Sequence, residues 1–333
     1  MVRDGVPDEP VFRLYSGDGT TLRDRQATLG PLEVFHESTD PAGYVADAGL
    51  RDAVNVALTL GQPLLVTGEP GTGKTDLAKS IAYALSLPAP LVFNTKSSSV
   101  ARDLFYHYDS LRHFHDSQFR QEAPSIDPYV EYEALGLAIL LAMDAAEANP
   151  YLPEQLRDRG PTRSVVLIDE IDKAPRDLPN DVLNEMEEMA FTVKESGRSF
   201  AASRAYRPIV ILTSNSEKML PDAFLRRCVF YHITFPSRER LRDIVRRRLR
   251  PDSRFSPEMI ESAVRHFEQI RDLGLRKKPS TAELLAWLRV LAKLDIDVGR
   301  PKPGDAEAIA FTYSVLAKSR EDLAVLREQL GPP

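Results

Sequence analysis

Gly68-Glu69-Pro70-Gly71-Thr72-Gly73-Lys74-Thr75 is the segment of this chain whose residue types and spacing most directly imply chemistry. It fits the P-loop pattern G-x-x-x-x-G-K-[ST], a loop that cradles nucleotide phosphates when it joins a strand to a helix. Gly71 and Gly73 let successive backbone N–H groups face phosphate oxygens at close range. Lys74 reaches the β- and γ-phosphates, and the Thr75 hydroxyl can ligate Mg²⁺. Asp76 follows in the first turn of a helix whose positive end faces the same anion. A chance Gly-rich turn is the alternative, and the bare pattern arises in roughly one chain in a hundred of this length. The flanks lower that chance: Leu64-Leu65-Val66 precede the loop, and a stripe of Leu77, Ala78, Ile81, Ala82 and Leu85 follows it. The segment predicts binding of a nucleoside triphosphate.

Three other places could complete a site. Ser164 to Asp172 (SVVLIDEID) reads as a buried strand that delivers Asp169 and Glu170 to a sheet edge. Asp169 is expected to hold the hydration shell of Mg²⁺ and Glu170 to polarise an attacking water. Acidic strand ends are common, so the pair takes its meaning from the P-loop about 95 residues before it. Ile209 to Asn215 (IVILTSN) ends in an amide that could orient water beside the γ-phosphate, and an ordinary turn Asn is the alternative. Ala223 to Phe230 (AFLRRCVF) sets Arg226 and Arg227 before a further apolar run. An Arg there does not easily reach its own P-loop. The functional reading is a finger inserted into a neighbouring subunit's site, and the alternative is a solvated basic pair.

These residues need a frame. Apolar runs at Leu91 to Phe93, Val165 to Ile168, Ile209 to Leu212 and Val229 to Ile233 lack polar alternation, as strands buried on both faces do. Helix-like segments lie between most of them, and another, led by Leu50, Val54 and Leu58, runs into the P-loop strand. The expected fold class is α/β: a mainly parallel sheet sandwiched by helices. After Pro236 the strand signal stops, and Arg238 to Arg250, Pro257 to Leu273, Thr281 to Leu294 and Gly304 to Leu330 read as helices. Three regions result: an irregular arm over 1–43, an α/β domain over 44–236 and an all-α domain over 237–333. Within the second, 97–160 is too long for an ordinary connection, and 190–207 reads as a hairpin.

Composition bounds the class. The chain has 333 residues, a net charge of −6 and ordinary globular proportions, 43% hydrophobic and 28% charged. The acidic balance gives no global attraction to nucleic acid or anionic lipid. One cysteine, Cys228, excludes an intrachain disulfide and fits a reducing cytosol. The first residues lack the layout of a signal peptide. Ala134 to Ala146 is the most apolar stretch but falls short of the roughly 20 residues that span a bilayer, so it reads as a buried helix. A cytoplasmic protein is expected.

In order and separation, GEPGTGKT, VVLIDEID, TSN and LRRC resemble an AAA+ ATPase, and within that class the MoxR family of the helix-2-insert branch. The resemblance covers roughly residues 44–300. It implies an AAA+ core followed by a helical lid, ATP and Mg²⁺ as substrate and cofactor, and a homo-oligomeric ring, expected to be a hexamer. It further implies a protein client that is remodelled, activated or assembled, with a von Willebrand factor A-domain protein as partner. Lys74 and Thr75 match Walker A, Asp169 and Glu170 match Walker B, and Asn215 matches sensor 1. Arg227 matches the arginine finger, although Cys228 stands where an aromatic usually follows, and Arg226 is the second candidate. Tyr44 falls where the helical lead-in approaches adenine. The sensor 2 arginine is missing: Lys277-Lys278-Pro279-Ser280-Thr281-Ala282-Glu283 has Ala282 near its place, so either Lys278 or Lys277 reaches the γ-phosphate instead or the lid couples more weakly to nucleotide.

Other features carry plainer readings. Phe105, Tyr106, Tyr108 and Phe114 could grip a client, but core packing is the commoner use of aromatics. His113 and His115, near Asp109 and Asp116, lack a third spaced ligand for a metal and read as a solvated turn. The arginines of 238–250 read as the solvated faces of a helix striped by Leu241, Ile244, Val245 and Leu249. Cys228 reads as a filler of a small apolar gap. Two rival functions are a nucleic-acid motor, disfavoured by the acidic balance, and a nucleotide switch with negligible hydrolysis, which Glu170 and Asn215 disfavour while the altered lid motif leaves it open. No Asn-Lys-x-Asp motif suggests GTP.

Overall fold

The computed structural model describes residues 40–119, 125–216, 220–249 and 256–330, so most of the expected 1–43 arm lies outside the described residues. The chain divides into two compact units. Tyr44–Phe235 forms one, and the described residues of 236–330 with 40–43 form the other.

The first unit begins with α1 (Ala48–Leu60), whose N-terminus is capped by Asp47 accepting from the Leu50 N–H at 2.6 Å. Next come β1 (Leu64–Gly68), α2 (Lys74–Ala84) and β2 (Leu91–Asn94). The long connection that follows contains β3 (Tyr106–Tyr108), α3 (Ser110–Phe119), β4 (Val130–Tyr132), α4 (Ala134–Leu141) and α5 (Ala145–Ala148). The unit continues through β5 (Val165–Asp169), α6 (Leu178–Asp181), α7 (Leu183–Glu188), β6 (Ala190–Val193), β7 (Arg198–Ala201), β8 (Ile209–Ser214), α8 (Asp222–Leu225) and β9 (Val229–Ile233).

Five strands form one parallel sheet in the order β2-β5-β8-β1-β9. Side chains alternate between its faces as a pleat requires. Leu64, Val66, Val165, Leu167 and Ile211 pack with α1 and α2 on one face. Leu65, Val166, Ile168, Val210 and Leu212 pack on the other with α4, α6, α7 and α8. The three central strands are buried on both faces, as their unbroken apolar runs predict. The outer two depart from that expectation. Val92 of β2 and Phe230 of β9 are nearly half exposed, because a terminal strand has a neighbour on one side only.

Within the 97–160 connection, β3 and β4 pair antiparallel. Phe105 and Tyr106 are buried, and Phe105 stacks on Phe191 at 5.2 Å between ring centres. Phe114 stays exposed on α3. The expected solvated turn at His113 is instead part of that helix, and the imidazole is half-buried against the Tyr129 ring at 4.7 Å. The apolar stretch from Ala134 makes a buried helix only as far as Leu141. Asp144 then caps α5 by accepting from the Ala146 N–H, which restarts the helix. α4 packs against β2 and β5, so this part of the long connection belongs to the sheet's helical layer. β6 and β7 form an antiparallel hairpin.

The second unit is helical in its described part: α9 (Arg238–Arg248), α10 (Pro257–Asp272), α11 (Thr281–Lys293), α12 (Asp305–Leu316) and α13 (Arg320–Leu330). The single helix expected over 304–330 is two. Ala317 is extended, and the Ser319 hydroxyl accepts from the Asp322 N–H at 3.0 Å to start α13. In α9, Leu241 and Val245 are buried as the stripe predicts, but Arg248 is buried with them. Trp287 sits fully buried among these helices, where its indole donates to Thr312 Oγ1 at 2.7 Å.

Two consequences are measurable. A Cβ on Gly136 of α4 would stand 2.0 Å from the Phe105 carbonyl oxygen, so Gly136→Ala forces backbone apart. It is expected to cost roughly 1–3 kcal/mol and lower the thermal midpoint by several degrees; a midpoint equal to the parent's contradicts this packing. Burial pushes the Cys228 thiol up to about 12. With the folded value above the ordinary 9, the thiol contributes stability that is lost as pH rises from about 9 to 12. Cys228 is half-buried, so near pH 8 it should react with Ellman's reagent more slowly in the folded protein than in the unfolded chain, and equal rates overturn that.

Candidate functional site: the carboxyl edge of the sheet

Parallel pairing sets β1, β8 and β5 side by side with their carboxyl ends on one edge. Gly68, Asn215 and Asp169–Glu170 therefore lie on neighbouring strand ends, with β8 between the other two. The loop after β1 needs glycine. Gly68 has φ 150° and a Cβ there would stand 2.6 Å from the Ile233 carbonyl oxygen. Gly73 has φ 87°, caps α2, and packs against the ring of Tyr44, which would be 3.3 Å from an added Cβ. This loop leaves the first N–H groups of α2 facing the space above the sheet edge. Glu69, Pro70 and Gly71 are exposed there, and Thr72 is tied down by donating to the Glu69 carbonyl at 2.8 Å. Asp76 pairs with Lys79 at 3.3 Å.

Lys74 is buried, with 7% of its surface exposed. Its ammonium donates to the Gly68 carbonyl at 2.7 Å, the Glu69 carbonyl at 3.1 Å and Asn215 Oδ1 at 3.0 Å. Burial lowers its pKa, and the charges of Asp169, Asp172 and Glu170 oppose that fall. The Thr75 hydroxyl lies 3.1 and 3.2 Å from the two Asp169 oxygens. Glu170 pairs with Lys173, one turn on, and its other oxygen lies 3.5 Å from Asn215 Nδ2.

Other contacts tie the strand ends together. Glu170 adopts left-handed backbone, φ 55° and ψ 51°. Its N–H donates to Thr213 Oγ1 at 2.8 Å, and that hydroxyl donates to Asp169 Oδ1 at 2.5 Å. Asp172 accepts from the Asn215 N–H at 3.3 Å. Thr213, Asp172 and Lys173 were not singled out from the sequence. A threonine inside IVILTSN reads as one more β-branched strand residue, and nothing in the pattern marks its hydroxyl.

The donor set suits Mg²⁺ with a triphosphate. Thr75 and Asp169 offer hard oxygens at contact distance, and Mg²⁺ in such sites is completed by phosphate and water. Among the described residues, no three His, Cys, Asp or Glu side chains form a self-sufficient metal cage.

One pair of expected site residues lies elsewhere within this unit. Arg226 and Arg227 follow α8 at the start of β9, where Val229 pairs with Leu64. They stand at the amino end of the strands, separated from the carboxyl edge by the length of β1, roughly 13 Å. Both are exposed, and Arg227 Nε lies 3.5 Å from Glu187 Oε2. Lys277 and Lys278 are exposed in the second unit, just before α11, and the Lys277 N–H donates to Asp322.

Residues 63–228 match the family described as AAA domain, dynein-related subfamily. No curated protein matches the chain. Among solved structures, a point variant of RuvB from Thermotoga maritima is similar, at 16% identity and a TM-score of 0.44, over 82% of this chain and 69% of that one. The Tyr44–Phe235 unit has the AAA+ P-loop NTPase fold, and residues 63–228 within it match the AAA domain family.

Proposed function

We propose that this chain is an ATP-hydrolysing AAA+ protein of the MoxR type. In this reading it forms a ring, expected to be hexameric, and uses hydrolysis to remodel, activate or assemble a protein client. One observation carries the ATPase reading. Lys74, Thr75, Asp169, Glu170 and Asn215 come from separate stretches of chain and meet in one hydrogen-bonded cluster at the carboxyl edge. A chance Gly-rich turn has no reason to gather that set.

The chemistry follows from these groups. Mg²⁺, when bound with the nucleotide, neutralises charge that builds on the phosphate oxygens as the terminal bond breaks. Backbone N–H groups of Gly71 to Thr75 bind the phosphates, and Lys74 exchanges its bonds to the Gly68 and Glu69 carbonyls for phosphate oxygens. Thr75 and Asp169 supply the protein oxygens for the cation. Glu170 accepts a hydrogen bond from the attacking water and polarises it, while the Asn215 amide aligns that water. Products are ADP and inorganic phosphate.

Arg227, with Arg226 as the alternative, serves a neighbouring subunit. Its place at the opposite end of β1 from its own P-loop supports this, because a self-contained site cannot use it. Tyr44 is assigned to the adenine side, since it packs on Gly73. Lys278, or Lys277, is offered only as a stand-in for the family's missing sensor 2 arginine, the alternative being a weaker coupling of the lid to nucleotide. The protein client and a von Willebrand factor A-domain partner also come from that resemblance.

Subunit mixing tests the shared site. Glu170→Gln alone should bind ATP and hydrolyse it roughly 10²–10⁴-fold slower. Arg227→Ala alone should lose a comparable factor. Mixed together, the two variants should regain activity, because an intact Glu170 then meets an intact Arg227 across an interface. A mixture no faster than the sum of its parts contradicts the finger. Loss with Arg226→Ala instead transfers the role to Arg226. Tight ATP binding by the parent without any hydrolysis would make the chain a switch.

A further inference from the structure

We infer that Thr213 is a positioning residue that couples the metal-side carboxylate to the water-activating glutamate; this rests on the ATPase reading above. Thr213 is fully buried in β8, two residues before Asn215. In the β5–β8 register Ile168 pairs with Leu212, so Asp169 stands beside Thr213. A hydroxyl has one donor and two acceptor positions. Here the donor goes to Asp169 Oδ1 and an acceptor position takes the Glu170 N–H at 2.8 Å. One oxygen atom thus fixes the carboxylate of one functional residue and the backbone of the next.

The second bond matters because of Glu170's conformation. A non-glycine residue at φ 55° is held against its own preference, and such strain persists where the surroundings over-determine it. The Thr213 hydroxyl is part of that restraint on the backbone, and from this backbone the Glu170 carboxylate meets Asn215 and Lys173. The first bond orders Asp169 while Thr75 engages the same carboxylate. Groups one shell out from a metal usually change affinity or activity roughly 10–100-fold when removed. A purely structural threonine in a strand would need its hydroxyl satisfied by any acceptor. This one bridges the two residues on which the reaction depends.

Thr213→Val removes the hydroxyl with little change of shape, and Thr213→Ser keeps it. Four quantities are read on the full chain: thermal midpoint, ADP affinity in EDTA, the Mg²⁺ concentration that half-saturates hydrolysis, and kcat. T213V should bind ADP in EDTA within about twofold of the parent, need roughly 10-fold more Mg²⁺, and lose roughly 10–100-fold in kcat. T213S should recover most of the Mg²⁺ dependence and kcat. Should T213V not fold, Thr213→Cys takes its place with the same expectation, because a thiol is a weak hydrogen-bonding group. Parent-like Mg²⁺ dependence and kcat in the hydroxyl-less variant overturn the assignment, as does a T213S no better than T213V. A parent that binds no nucleotide overturns the ATPase reading, and the role of Thr213 falls with it.

Discussion

Parallel pairing of β8 with β1 on one side and β5 on the other is the constraint from which the rest of the site follows. In a parallel sheet every strand delivers its carboxyl end to the same edge, so residues at those ends meet without any special device. Gly68 opens the phosphate loop there, Asp169 and Glu170 end the acidic strand, and Asn215 stands between them because β8 is the middle strand. The same pairing sends the start of β9, with Arg226 and Arg227, to the opposite edge. Separation of the arginines from their own phosphate loop is therefore a property of the topology, and the role proposed for them is one played in a neighbouring subunit's site.

Electrostatics at the edge are arranged around one cation. Lys74 has given up most of its hydration, which lowers its pKa, and two carbonyls and one amide oxygen replace the lost water. Three carboxylates nearby oppose the fall. Glu170, Asp172 and Asp169 in turn are braced by Lys173, the Asn215 backbone and Thr213. Such a network is poised to exchange partners: every bond Lys74 makes to a backbone carbonyl is one that a phosphate oxygen can replace at similar distance. Preorganisation of this kind lowers the cost of rearrangement when substrate arrives.

Much of this was legible in the residues. Glycine spacing betrays the loop because backbone at φ 87° and a 2.6 Å approach to Ile233 tolerate little else. Apolar runs ending in acid or amide mark strand ends, since burial and polarity change together at a sheet edge. Edge strands were less legible: β2 and β9 carry the same apolar letters as the central strands, and only the pairing order says which faces stay wet. Thr213 was silent for a related reason, because β-branched residues suit strands whatever their hydroxyl does. The break between α12 and α13 rests on a single serine cap, a weak signal against continuous helical periodicity. The aromatics of the long connection divided by burial, with Phe105 and Tyr106 in the core and Phe114 outside, a distinction that only packing makes.

The central claim is that the cluster at the carboxyl edge hydrolyses ATP and that an arginine from the next subunit completes it. Its most direct test is the Mg²⁺-dependent rate of ATP hydrolysis per subunit, measured over a wide range of protein concentration with the association state followed in parallel. The account predicts a rate that climbs steeply as subunits associate and then saturates. A rate per subunit that stays constant down to dilutions where the protein is monomeric would contradict it.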